Sequence, residues 1–208
     1  MKIDVTDKQN REELEALDID ILVCNGAVGY GGSISEIDMA LVRKNFDVNV
    51  FSNFEVVQIV IRKMFEKNKG KILFMSSLAA IYPVPFLGSY AATKASISTL
   101  ALTLRKELKL LNSKIEVAVI EPGFYHTGFN QVMFQNKYEW MDIDSYFSAC
   151  INKIHKRERF IEKYVEKKSL RSIERRILEA IFEKHPYSIY RAPFLQTVFA
   201  KTYQIFFR

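Results

Sequence analysis

Apolar positions along this chain switch between two periods. Short runs of apolar residues, Ile19-Asp-Ile-Leu-Val-Cys24, Lys71-Ile-Leu-Phe-Met75 and Lys114-Ile-Glu-Val-Ala-Val-Ile120, predict buried strands, and Ser188-Ile-Tyr-Arg191 predicts a shorter one. Between them lie helical patterns: residues 11–17, a long amphipathic stretch over 38–68 with a break before Asp47, residues 89–111, residues 172–184, and an aromatic-rich helix over 194–207. Lys2-Ile-Asp-Val5 is a further short apolar run that ends at the turn-prone Thr6-Asp7. Strands separated by helices imply βαβ units, and so a parallel sheet covered on both faces. The predicted fold class is α/β, a doubly wound, Rossmann-like parallel sheet. After Gly123 the texture changes. Residues 124–170 carry Phe, Tyr, Trp140 and Met without strand alternation, and we read them as a helical substrate lobe inserted into one domain spanning 1–208.

Composition adds bounds. The 208 residues are 49% hydrophobic and 26% charged, ordinary for a globular domain. The net charge is +6, and residues 151–184 hold eleven Lys/Arg against six Asp/Glu, a local +5 too interspersed with acid to imply nucleic acid. We read the charges at 153–176 as a solvated face. Two cysteines, Cys24 and Cys150, give no disulfide framework and point to a reducing, cytoplasmic setting. Neither a signal peptide nor an apolar run of membrane-spanning length is visible. His126, His155 and His185 lack the spacing of a metal site. The aromatic residues around Trp140 read as packing that could also touch substrate.

The candidate chemistry is a trio. Tyr90 and Lys94 lie four residues apart on a predicted helix, and Ser77 precedes the tyrosine by thirteen residues, just after a strand. A Tyr-x-x-x-Lys match carries little alone, and a second one, Tyr164 to Lys168, sits in the charged stretch with no strand or serine beside it. The first has company: Asn49 on the preceding helix, Ser76-Ser77 at one strand end and Pro122-Gly123 at the next. In open parallel sheets ligands lie beyond the carboxyl ends of the strands. A tyrosine phenol, pKa about 10, becomes a useful proton-transfer group when a cation one helical turn away favours its phenolate.

With these features the chain resembles the short-chain dehydrogenases/reductases of the Tyr-x-x-x-Lys type. The matches run from Asp4-Val5 through Cys24-Asn25-Gly26-Ala27, Asn49, Ser77, Tyr90 and Lys94 to Pro122-Gly-Phe-Tyr-His-Thr127. The resemblance implies an NAD(P)-dependent oxidoreductase that interconverts a secondary alcohol and a ketone. Catalytic roles fall on Asn49, Ser77, Tyr90 and Lys94: Tyr90 as acid/base, Lys94 lowering its pKa and holding the nicotinamide ribose, Ser77 orienting the substrate oxygen, Asn49 anchoring a water of the proton relay. It implies coenzyme contacts at Asp4, Val5, Asn25, Gly26, Ala27, Tyr90, Lys94, Pro122, Gly123, Tyr125 and Thr127. A small alcohol or ketone is the expected substrate, and the aromatic content of 124–147 favours an apolar one. A homo-oligomer is the expected assembly.

The family's glycine-rich phosphate turn lies upstream of its Asn-Asn-Ala-Gly turn, and this chain is expected to start after it. Gly26-Ala-Val-Gly29-Tyr-Gly31-Gly32 does not have Gly-x-Gly-x-x-Gly spacing, and it departs from Asn-Asn-Ala-Gly with Cys24 for the first Asn and Gly26-Ala27 inverted. Three accounts stand open: a truncated product, a misassigned start, or a fragment whose first strand pairs directly with 19–24. Otherwise 19–24 becomes an exposed edge, with its hazard of self-pairing. NAD or NADP binding by this chain is expected to be weak. The alternative function is a catalytically dead remnant that serves as a binding or oligomerisation module. Residues 194–208, with Leu195, Phe199, Tyr203 and Phe206 at helical spacing and Arg191, Lys201 and Arg208 flanking, are expected to touch a membrane surface or another subunit, unless they pack on the sheet or cover the lobe.

Overall fold

The structure, a computed structural model, describes residues 3–136 and 145–206. Four parallel strands stand side by side in chain order: β1 (Ile21–Cys24), β2 (Gly70–Met75), β3 (Ile115–Pro122) and β4 (Ile189–Ala192). Helices α1 (Lys8–Glu12), α2 (Met39–Phe46), α3 (Asn53–Glu66) and α4 (Gly88–Leu110) come before β3, and α5 (Phe129–Asn136), α6 (Ile151–Phe160), α7 (Arg171–Phe182) and α8 (Phe194–Phe206) after it.

The strands β2 and β3 are buried on both faces, which is why they read as continuous apolar runs. The pleat sorts their side chains. Ile72, Phe74, Val117 and Val119 face a core with Val56, Val57, Val60 and Met64 of α3 and Ile97, Ala101 and Leu108 of α4. Leu73, Ala118 and Ile120 face the opposite core with Ile173 and Ala180 of α7. The sheet is thus covered on both sides, as the βαβ pattern requires. Trp140 lies outside the described residues.

The long helical stretch breaks where the sequence pattern predicts, at Asp47. Residues Asp47–Ser52 form a π-helical turn between α2 and α3. The turn keeps Asn45, Asn49 and Asn53, all buried, on one face. Each of the three binds one residue of the segment leaving β1. Asn45 accepts from the Tyr30 amide (3.0 Å) and donates to the Tyr30 carbonyl (2.9 Å). Asn49 does the same to Val28 (2.8 and 2.9 Å), and Asn53 donates to the Gly26 carbonyl (3.0 Å). The side chains act as a surrogate strand for residues 26–30, which pair with no strand among the described residues.

Three expectations are corrected. Residues 3–5 form no strand and do not pair with β1, whose only partner among the described residues is β2. Their polar groups are taken up locally instead: Asp4 accepts from the Thr6 amide and hydroxyl (2.9 and 2.7 Å), and the Asp4 amide donates to Asn10 (3.2 Å). Ile3 and Val5 still pack on the core. The strand at 19–24 is shorter than the apolar run and is not fully buried. It begins at Ile21, and Ile21 and Val23 are exposed at the sheet edge. The predicted helix at 11–17 starts earlier, capped by Asp7, and tightens into a 3₁₀ turn over Glu13–Ala16.

A buried ionic chain ties β4 to the sheet. Glu121 of β3 is 1% exposed; it accepts from Arg191 Nε of β4 (2.6 Å) and from the Ser98 hydroxyl of α4 (2.9 Å). The Ser98 hydroxyl also lies 2.8 Å from that of Ser76, which donates to the Lys94 carbonyl (2.8 Å). Removing one member of a buried pair strands the other. Glu121→Ala is expected to destabilise the fold by about 3–5 kcal/mol, read as a lower urea midpoint, while Glu121→Gln, which keeps one of the two acceptor oxygens and the side-chain volume, loses less.

Candidate active site

A cavity of about 890 Å³ opens beyond the carboxyl ends of the strands. Each strand exit contributes to its wall: Asn25, Gly26 and Ala27 after β1, Ser76 and Ser77 after β2, Gly123 after β3, and Gln196 on α8 after β4. Tyr90 and Lys94 enter it from the first turns of α4.

Ser77 is fixed by its local backbone. The strand register continues through Ser76, whose amide donates to the Ile120 carbonyl (2.8 Å). Ser77 is then extended and caps the 3₁₀ turn Leu78–Ala80 by accepting from the Ala79 amide (3.1 Å). It is a strand-end cap whose hydroxyl donates to the Pro122 carbonyl (3.4 Å) and lies near enough the Tyr90 phenol to lower its pKa. Two residues before α4, Phe86 holds a left-handed backbone conformation (φ 66°), uncommon for a bulky side chain. Its carbonyl accepts from the Gly32 amide (2.7 Å), and its ring meets Phe147 edge-on. That strained turn sets where α4 begins, and with it the position of Tyr90.

The electrostatics follow from burial. Lys94 is 5% exposed and donates to the Met75 carbonyl (2.8 Å). Burial disfavours its charged form and pushes its pKa down to about 8. The Lys94 ammonium lies 5.7 Å from the centre of the Tyr90 ring. Burial also pushes the Tyr90 phenol well above its ordinary value, with the Ser77 hydroxyl working the other way. In this arrangement Tyr90 is therefore a neutral phenol, a proton donor, with a titratable cation beside it.

The other anticipated site residues divide. Asn25, Gly26, Ala27, Pro122, Gly123, Tyr125 and Thr127 all line the cavity. Tyr125 is buried, and its hydroxyl is engaged with Ser172 (2.7 Å). Gly123 has a steric reason to be glycine: a Cβ there would collide with the Gln196 side chain. Asn49, Asp4 and Val5 do not line the cavity. Asn49 spends its side chain on Val28 and on the Thr93 hydroxyl (3.1 Å), since a buried amide must satisfy its own donors. Asp4 is spent on its own turn, and Val5 approaches only the Gly26 backbone from behind. His126 pairs with Glu166 (2.9 Å), and His185 with Glu116 (3.3 Å). Among the described residues no His/Cys/Asp/Glu cluster could hold a metal. The second match, Tyr164, is exposed and leans on Phe160; Phe160 lines the cavity, but Tyr164 does not.

Sequence reading missed Asn45, Asn53, Ser98 and Glu121. A signal was present for the asparagines: three at four-residue spacing across a helix break, opposite a glycine-rich segment.

The Gly26–Gly32 segment has three of its amides taken by protein acceptors. The amides of Val28, Tyr30 and Gly32 are spent on Asn49, Asn45 and the Phe86 carbonyl. The residues that would hold the nicotinamide end of a coenzyme fit better, since Lys94, Ser77, Thr127 and the 25–27 backbone share one cavity.

Comparison with known proteins agrees with this geometry. The family model described as short chain dehydrogenase matches residues 2–138. The rat dehydrogenase/reductase SDR family member 7B is 34% identical over 112 residues, 54% of this chain and 34% of that protein. The uncharacterized oxidoreductase YusZ of Bacillus subtilis is 32% identical over 139 residues, 64% of this chain and 49% of that protein. The chain thus spans half or less of the length of these two relatives. A solved structure of the closed form of a serine dehydrogenase complexed with NADP+ shares the fold, with a TM-score of 0.72 at 23% identity, over 92% of this chain and 74% of that one.

The depressed Lys94 pKa has a thermodynamic consequence. Between about 8 and the ordinary 10.5 the unfolded chain binds a proton at this lysine that the folded chain does not, so stability rises with pH through that window. Above about pH 10 the raised Tyr90 pKa acts with the opposite sign, because the folded phenol keeps a proton that the unfolded one has lost. Urea melts of the parent and of Lys94→Met from pH 7.5 to 10 are expected to show a rise in the parent that the variant lacks.

Proposed function

The chain belongs to the short-chain dehydrogenase family, and from that premise we propose that it interconverts a secondary alcohol and a ketone with NAD or NADP. The observation that carries the proposal is the convergence of the Ser77 hydroxyl, the Tyr90 phenol and the Lys94 ammonium in one cavity at the strand ends. When bound, the reduced coenzyme supplies the hydride. The protein's own residues handle the oxygen. Ser77 hydrogen-bonds the substrate oxygen and orients it. Tyr90 gives its phenolic proton to that oxygen as negative charge develops there. Lys94 stabilises the phenolate left behind, and the reverse reaction runs through the same groups. Lys94, Asn25–Ala27, Pro122, Gly123, Tyr125 and Thr127 are the residues proposed to hold the nicotinamide end. Asn49 contributes by holding the Val28 backbone, which positions the 25–27 wall. Asp4 and Val5 support that wall from outside.

An apolar substrate is favoured because Leu78, Val84, Leu87, Phe124, Phe129 and Met133 line much of the cavity. The family membership supports a small-molecule substrate and a homo-oligomer. No helix among the described residues is long and apolar enough to cross a membrane, and we place the protein in the cytoplasm with peripheral membrane contact.

Tyr90→Phe is expected to lower ketone turnover by about 10²–10⁴-fold, while Tyr164→Phe leaves it unchanged; equal turnover in Tyr90→Phe and parent would sink the assignment. The spent amides of Gly26–Gly32 favour a second reading, in which this chain is a catalytically dead binding or oligomerisation module. Isothermal titration with both coenzymes in both redox states tests whether coenzyme is bound. Binding weaker than micromolar is expected of the 208-residue chain, and a micromolar dissociation constant would show that its phosphate donors lie elsewhere.

A further inference from the structure

A second cavity, of about 690 Å³, lies between α7, β4 and α8 on the side of β4 away from β3. Arg171, Arg175, Arg176, Arg191 and Lys201 line it, together with Tyr187, Tyr190 and Phe194, and among the described residues no carboxylate does. Three of the cations have carboxylate partners. Arg175 and Arg176 share Glu179 (2.9 and 2.7 Å), and Arg191 holds the buried Glu121. Arg171 and Lys201 have no ion pair among the described residues. A third carboxylate, Glu183, accepts from the hydroxyl of the groove-lining Tyr190, and the groove keeps an excess of two positive charges.

Beside it, α8 turns an apolar face to solvent. Phe194, Leu195, Phe199, Ile205 and Phe206 are each between 60% and 76% exposed, and Val198 stands among them. At about 100° per residue they occupy an arc of roughly 140°, and Lys201 lies on its edge. Phe194 and Lys201 belong to both features, so the cationic groove and the apolar arc form one continuous surface. The opposite face of the helix is fixed to the protein. Ala200 is buried, Gln196 accepts from the Phe124 amide (2.7 Å) and donates to the Val165 carbonyl (2.8 Å), and Tyr203 packs on Tyr82 (4.8 Å).

We propose that this surface docks on an anionic lipid bilayer, with the α8 arc in the interface and the α7–β4–α8 groove on acidic headgroups. Exposed aromatic and aliphatic side chains on an amphipathic helix favour the headgroup–acyl boundary, and cations at its border favour negative lipid. Charge decides against a second copy as the occupant. A two-fold contact brings the same patch from both partners together, which would set the excess charge of each groove against that of the other. The apolar arc decides against a soluble polyanion, which would leave it in water. Docking here has a functional corollary: Gln196, Phe199 and Ala200 of the same helix also line the first cavity, so an apolar ligand partitioned in the bilayer would have a short route to it. The docking itself does not depend on the chemistry proposed for that cavity.

Co-sedimentation of the full chain with phosphatidylcholine vesicles, with and without phosphatidylserine, tests the proposal. Binding is expected to the phosphatidylserine vesicles and to fall as salt rises. The triple variant Arg171→Gln, Arg175→Gln, Arg176→Gln is expected to bind them at least tenfold more weakly, as is Leu195→Ser with Ile205→Ser. Both variants should retain the parent's far-UV circular dichroism and melting transition; if either does not, single substitutions at Arg171 and Leu195, both exposed, take its place with a smaller loss expected. Equal binding to neutral and anionic vesicles, or none to either, overturns the proposal. So does concentration-dependent dimerisation that the same substitutions abolish in the absence of lipid, which would make the surface a subunit interface.

Discussion

A parallel sheet must release its chain at the carboxyl end of every strand, and the backbone groups released there lose their ladder partners. The rest of this structure depends on how that deficit is met after β1. The exit segment needs partners for the Gly26, Val28 and Tyr30 backbones. Asn45, Asn49 and Asn53 provide them from a single helical face. Once that segment is fixed it forms one wall of the cavity, and the buried amides in turn contact α4 through Thr93 and Ser89. The helix carrying Tyr90 and Lys94 is thereby registered against the exit of β1. On its other side Ser76 and Ser98 register it against β2 and β3, and through Glu121 against β4. Polar side chains set the geometry of the site, and apolar burial supplies the stability that lets them stay dehydrated.

The same dehydration shapes the chemistry. A lysine in water near pH 7 is charged and unresponsive. Lys94, held against the Met75 carbonyl, titrates closer to neutrality. A tyrosine whose phenol is raised by burial stays protonated until a partner changes its surroundings. Burial controls the charge state of both groups.

Much of this was legible in the sequence. The β2 and β3 runs, the break before Asp47, the helix carrying Tyr90 and the short last strand all follow from apolar period and punctuation. Ser77, Tyr90 and Lys94 were readable because their spacing and the strand ends beside them agree. What was not legible has a common physical character. Asn49 has the right position in the chain, yet its side chain is spent on a backbone, and hydrogen-bond satisfaction is settled by three-dimensional neighbours that spacing does not encode. Residues 3–5 have strand composition but no strand, because local acceptors at Asp4 and Asn10 compete for the same amides. Glu121 looks like an interruption of an apolar strand until Arg191 and Ser98 are seen on either side of it.

The π-helical turn at Asp47–Ser52 carries a consequence for how this chain can vary. In a regular α-helix a step of four residues overshoots a full turn by about 40°, so three asparagines at that spacing would fan away from a straight segment. The wider turn takes back part of the overshoot and keeps the three aligned. Losing a single residue there would restore a regular helix, and would also rotate everything beyond it by about a quarter of a turn or more. Asn53 would then point away from Gly26, and the apolar face of α3 would swing off the sheet. The helix is irregular so that two partners can both be met, a straight loop on one side and a flat sheet on the other. Its length between Asn45 and Val56 is therefore fixed to the residue.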